Sequence, residues 1–129
     1  MGPDNEHPGY ASLLRGQQHI AALVSAIQTN RYYAYNTVII ITYDENGGRW
    51  DHVAPPVMPD HWGLGTRVPG IIVSPFTRGG VIDGNQYETV SILKLIERRF
   101  GLAPLAARDA NPAASDLSTT FRFPNENQQ

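Results

Sequence analysis

Residues 37 to 43 read Thr-Val-Ile-Ile-Ile-Thr-Tyr, a β-branched run in which apolar and polar positions do not alternate. A strand with one wet face shows that alternation. A continuous run predicts instead a strand covered on both faces, as in a parallel sheet with helices packed on either side. Directly after it come Asp44 and Glu45, then Asn46-Gly47-Gly48. Two adjacent carboxylates thus follow the most water-averse segment of the chain, at the strand end where open α/β sheets collect their ligands.

The other segments fit the same class. Between Tyr10 and about Gln28 the residues Leu13, Leu14, Ile20, Leu23, Val24 and Ile27 recur at helical spacing, with Gln17, Gln18 and Ser25 on the wetter face. The run from Arg67 to Ser74 predicts a second buried strand, with Pro69 at its start, where a missing amide is tolerated. A second helix is expected from about Glu88 to Phe100. Arg98 and Arg99 in its last turn and Gly101 just beyond form its stop signal. Residues 44–66 and 76–86 read as loops, the first long enough to suggest function. Residues 113–129 read as an irregular tail, with a short helical turn near Asp116 to Thr120. Helix, strand, loop, strand, helix is the order of an α/β layered fold, of which two strands make only a part.

Composition narrows the chemistry. The chain has no cysteine, so any metal must take oxygen or imidazole ligands. A formal net charge of −2 carries no basic footprint, and no nucleic-acid partner is expected. No apolar run approaches the roughly 18 residues that span a bilayer, so no transmembrane segment is expected. The opening residues, Met-Gly-Pro-Asp-Asn-Glu-His, are too polar for a signal peptide.

From the residues alone, Asp44 and Glu45 support two readings equally. They are hard oxygen ligands for a divalent cation, with glycines that let the backbone bend closely. They are also the start of Asp-Glu-Asn-Gly, common turn chemistry with solvated acids. Asp51 and His52 follow closely enough to return to the same place. An EF-hand fails, because the fifth and twelfth positions counted from Asp44 are Gly48 and Pro55. There is no Gly-x-Ser-x-Gly elbow, no Walker loop and no dinucleotide fingerprint. Taken singly, His7 reads as an exposed terminal histidine, His19 as a helix-surface residue and His61, beside Trp62, as a loop packing residue.

The stretch Ile41-Thr-Tyr-Asp-Glu-Asn-Gly-Gly-Arg-Trp-Asp-His-Val-Ala-Pro-Pro56 resembles the signature of the bacterial phosphoesterase family, which holds the non-haemolytic phospholipases C and related acid phosphatases. Three further blocks resemble the family in the same order. They are Glu6-His-Pro8 with Leu14-Arg-Gly16, then Gly63-Leu-Gly-Thr-Arg-Val-Pro69 with Val73-Ser-Pro75. Last come Ser91-Ile-Leu93, Ile96-Glu-Arg-Arg-Phe-Gly-Leu102 and Ala107-Arg-Asp109. The resemblance implies an alkaline-phosphatase-like α/β/α fold with a mainly parallel sheet, of which this chain is the C-terminal portion. It implies hydrolysis of a phosphate ester, phospholipid or otherwise, by a hydroxyl nucleophile bound at a divalent metal ion. Asp44 and Glu45 match the family's metal-binding acids, and His7 matches a histidine lining the phosphate site. His52 and Asp51 belong to the signature, His52 as a candidate catalytic residue and Asp51 as a neighbour that supports the site or holds the loop.

Two departures qualify the match. Nothing resembles the family's early Glu-Asn strand motif or its Ser/Thr nucleophile, which are expected in a missing N-terminal part of the same domain. Glu88 and Thr89 stand where many relatives carry Asp-His. A periplasmic or secreted location is implied by the relatives alone. Two alternatives remain: a non-catalytic binding or structural module that keeps the scaffold, and a sulfatase-like hydrolase of the same superfamily.

Overall fold

The computed structural model describes residues 5–58, 61 and 63–123, so Trp62 and the Asn125-Glu126-Asn127 stretch lie outside the described residues. The chain divides into two units, Met1–Pro75 and Phe76–Gln129.

In the first unit, helix α1 runs Leu13–Thr29. It ends at the polar break because Asn30 offers its neighbours an alternative to the helix. The Asn30 carbonyl accepts the amides of Tyr33 (3.0 Å) and Ala34 (2.9 Å). Its side-chain oxygen accepts the Tyr32 amide at 2.9 Å. Strands β1 (Ile39–Thr42) and β2 (Gly70–Val73) follow, each at the centre of an expected run. They pair with Ile39 opposite Val73 and Thr42 opposite Gly70.

That pairing is antiparallel, so the expectation of parallel strands is corrected for this pair. The segment joining them explains why. A parallel partner needs a crossover that packs back on the sheet, usually a helix, and the described residues between Thr42 and Gly70 contain none. Burial on both faces is also corrected. Ile39, Ile40 and Ile41 are half-buried, and Ile71 is 56% exposed. One helix and two short strands do not supply enough apolar surface to cover both faces of an isoleucine ladder. The stripe of α1 is likewise open at Leu13, Leu14 and Leu23.

In the second unit, helix α2 (Thr89–Phe100) has the expected ends. The buried Ser91 hydroxyl accepts the Glu88 amide at 3.1 Å at the start. At the finish, Gly101 takes a left-handed φ of 64°, and the Leu102 amide returns to the Glu97 carbonyl at 2.9 Å. A four-residue helix α3 (Ala107–Ala110) was not foreseen, being too short for a periodic signal. Asp109 starts it by accepting the amides of Leu105 (2.6 Å) and Ala106 (2.8 Å). Arg108 beside it donates to Glu88 at 2.8 Å. The expected turn near Asp116 to Thr120 is a 3₁₀ helix at Ser118–Thr120. The tail read as irregular holds the buried apolar side chains of the described residues, Leu117 and Phe121.

Candidate active site

β1 ends at Thr42, whose hydroxyl donates to the Pro69 carbonyl at 3.1 Å. Asp44 and Glu45 follow, both exposed. One oxygen of Asp44 accepts the Glu45 amide at 3.0 Å, and one oxygen of Glu45 accepts the Gly47 amide at 2.6 Å. The chain then reverses. The Asn46 carbonyl accepts the Arg49 amide at 2.9 Å across Gly47 and Gly48, whose φ values of 59° and 74° both lie in the left-handed region. Asn46 holds this turn from within, accepting the Gly48 amide at 2.8 Å and donating to Thr66. The turn reading and the ligand reading therefore share one set of atoms. Each carboxylate spends one oxygen on the turn and has further lone pairs.

The His7 segment is brought to this turn. A Cβ at Gly47 would lie 3.0 Å from the Pro8 ring, so any other residue there would press Pro8 away. Two residues before Pro8, Glu6 accepts a hydrogen bond from the hydroxyl of Tyr43, the residue before Asp44. That bond raises the Tyr43 phenol above its ordinary value, with burial and the Glu6 charge adding to it. His7 is exposed, stacks on Tyr10 with centroids 4.4 Å apart, and has Nδ1 2.7 Å from the Pro8 carbonyl. A carbonyl only accepts, so the proton sits on Nδ1 and leaves Nε2 the acceptor of the neutral ring. In its neutral form that nitrogen is a base or metal ligand. In the imidazolium form it is a donor.

Asp51 turns elsewhere. Its oxygens accept the Val53 amide at 3.0 Å and Arg67 Nε at 2.5 Å. The Val53 amide first, then Arg67, hold its carboxyl below the usual aspartate value. Asp51 thus fastens the signature loop to the approach of β2. His52 beside it is exposed and adds a smaller downward push on the same carboxyl. Among the described residues no three His, Asp or Glu side chains gather closely enough to hold a metal ion. The donor chemistry of Asp44 and Glu45 suits a hard divalent cation, and as a pair they offer part of a coordination sphere.

Sequence reasoning missed Glu6, Tyr43, Thr66 and Arg67 as members of this constellation. Tyr43 meets Glu6 37 residues away, and Arg67 meets Asp51 16 residues away. No local pattern announces contacts at such separations.

Residues 2–103 match the family model described as Phosphoesterase family. The chain is 28% identical to a non-hemolytic phospholipase C of Pseudomonas aeruginosa, over 97% of this chain and 22% of that protein. It is 31% identical to phospholipase C A of Mycobacterium tuberculosis, over 92% of this chain and 27% of that protein. A plant relative, non-specific phospholipase C6 of Arabidopsis thaliana, is 30% identical over 83% of this chain and 25% of its own. The chain spans about a quarter or less of the length of these curated relatives. Among the described residues no helix is long and apolar enough to cross a membrane.

Proposed function

Because the chain belongs to the Phosphoesterase family, we propose that it is the C-terminal portion of a larger phosphoesterase domain and supplies part of a metal-assisted site for phosphate-ester hydrolysis. The observation that carries this reading is the meeting of the His7 segment with the Asp44–Gly48 turn, through Pro8 on Gly47 and Glu6 on Tyr43. Chance turn chemistry would not need a segment from more than 30 residues upstream held against it. The exposed faces of β1, β2 and α1 support the larger domain, which would cover them in a layered, mainly parallel α/β/α arrangement of the alkaline-phosphatase type.

In this reading Asp44 and Glu45 are metal ligands, completed by residues outside this chain. With Asp44 and Glu45 among its ligands, a divalent ion would supply Lewis-acid polarisation of a phosphoryl oxygen and neutralisation of developing charge. His7 presents Nε2 towards the ester, as donor to a phosphoryl oxygen or as acid to the leaving group. Asp51 holds the loop that carries His52 along the rim. The nucleophile comes from the preceding part of the domain. The names of the relatives favour a phospholipid as the ester, and a periplasmic or secreted location accompanies that reading.

Turnover of p-nitrophenyl phosphate and phosphatidylcholine, with and without divalent cations, tests this in the complete domain and in the 129-residue chain alone. The complete domain should turn over and lose that activity with Asp44→Ala, while the chain alone should be inactive. Activity of the isolated chain that Asp44→Ala abolishes would overturn the shared-site reading. A second reading, a scaffold-keeping module without catalysis, draws on the engagement of both carboxylates in turn amides. It requires Asp44→Asn and Glu45→Gln to leave all activity intact.

A further inference from the structure

Glu6 immediately precedes His7, and Tyr43 immediately precedes Asp44. One hydrogen bond, from the Tyr43 hydroxyl to the Glu6 carboxylate, therefore joins the two candidate site segments at the residue before each functional side chain. The Glu6 stem is itself seated. Gly16 is buried on α1, and a Cβ there would overlap Glu6 Cγ and come just inside 3.0 Å of Cδ and Oε1. The Glu6 side chain thus occupies a notch that exists only because residue 16 has no side chain. Pro8 on Gly47 is a second anchor two residues further along.

We propose that Glu6 is a positioning residue, clamped between Gly16 and Tyr43, that sets His7 against the Asp44–Glu45 pair. This rests on the site assigned above. The segment containing His7 has no regular secondary structure of its own, and His7 is exposed. Beside its local bonds and the stacking on Tyr10, three contacts hold this segment to α1 and the turn: the Gly16 notch, the Tyr43 hydroxyl and the Pro8–Gly47 contact. Arg49, the nearby cation, acts on Tyr43 in the opposite sense to Glu6. A misplacement of about 1 Å of a catalytic group costs up to about 100-fold in rate. Ligation by Asp44 and Glu45 needs no histidine contact and should survive loss of the clamp.

The test measures phosphate-ester turnover by the complete domain against both substrate and divalent-cation concentration. Glu6→Ala removes the acceptor of the Tyr43 hydroxyl and empties the Gly16 notch. It should lower kcat by about 10- to 100-fold while KM and the concentration of divalent cation for half-activation change little. Tyr43→Phe should lower kcat by a similar factor, and the double variant by no more than either single one. Glu6→Gln, whose amide oxygen still accepts from the phenol, should recover most of the rate. A normal kcat in Glu6→Ala, or a loss carried mainly by KM or by the divalent-cation requirement, would overturn the clamp. Failure of the underlying site is read separately: there, Asp44→Ala leaves turnover intact whatever Glu6 does.

Discussion

Arg98 and Asp116 are joined at 2.9 Å, and the bond ties α2 to the segment that enters the 3₁₀ turn. Burial pushes the Asp116 carboxyl upward, but donors from Ser118 and the Arg98 guanidinium outweigh it and leave a pKa of about 2. The folded value is below the ordinary 3.8, so the stabilisation is present above 3.8 and lost as pH falls through about 2. Arg98 is mostly exposed and solvent screens the pair. Asp116→Asn should therefore cost about 1 kcal/mol at neutral pH and nothing in strong acid, as read by urea unfolding against pH.

Glu97 and Asp109 are both buried, and their carboxyls share a hydrogen bond. Glu97 Oε1 has no partner among the described residues. Burial first, then the bond and charge of Asp109, raises the Glu97 carboxyl above its ordinary 4.5. Its contribution is complete below 4.5 and lost as pH rises through the raised value. Asp109 is also pushed upward by burial, yet donors from Leu105, Glu97 and Ala106 hold it below 3.8, so its contribution is lost as pH falls. Glu97→Gln should abolish the loss on the alkaline side and keep the acid-side loss, which unfolding curves across that range would read.

Gly47 and Gly48 both hold left-handed backbone, but only Gly47 has a neighbour where a Cβ would go. Gly48→Ala should cost about 1–2 kcal/mol from conformation alone. Gly47→Ala should cost more, because Pro8 must also move. Equal losses in denaturant unfolding would show that Pro8 does not rest on the turn.

Gly16→Ala separates helix propensity from placement. Alanine is better than glycine by about 1 kcal/mol inside a helix, so α1 should not weaken. Glu6 should leave its notch, and the Tyr43 phenol should titrate nearer 10.0. Helical content by circular dichroism and the phenol titration read the two effects independently.

The open isoleucine strands have a consequence in solution. Surfaces of this kind pair edge to edge or bury themselves in a partner. The isolated chain should associate with rising concentration in sedimentation velocity. A monodisperse monomer that unfolds cooperatively would contradict the larger-domain reading.

Local chemistry carried much of this protein into view from its sequence. The Leu13–Ile27 stripe foretold α1, the β-branched runs foretold both strands, and Gly101 behind Arg98 and Arg99 foretold the end of α2. These signals lie within one turn or one pleat of the residues they describe. The adjacency of Asp44 and Glu45 at a strand end was legible for the same reason. Tertiary structure alone decided that β1 and β2 pair antiparallel, that Asp51 goes to Arg67, and that Leu117 and Phe121 are the buried apolar residues of an irregular tail. It alone laid Glu6 over Gly16 and beneath the Tyr43 hydroxyl. Contacts that close loops of tens of residues depend on which surfaces meet once the elements exist. A backbone period of two or 3.6 residues carries no information about that meeting.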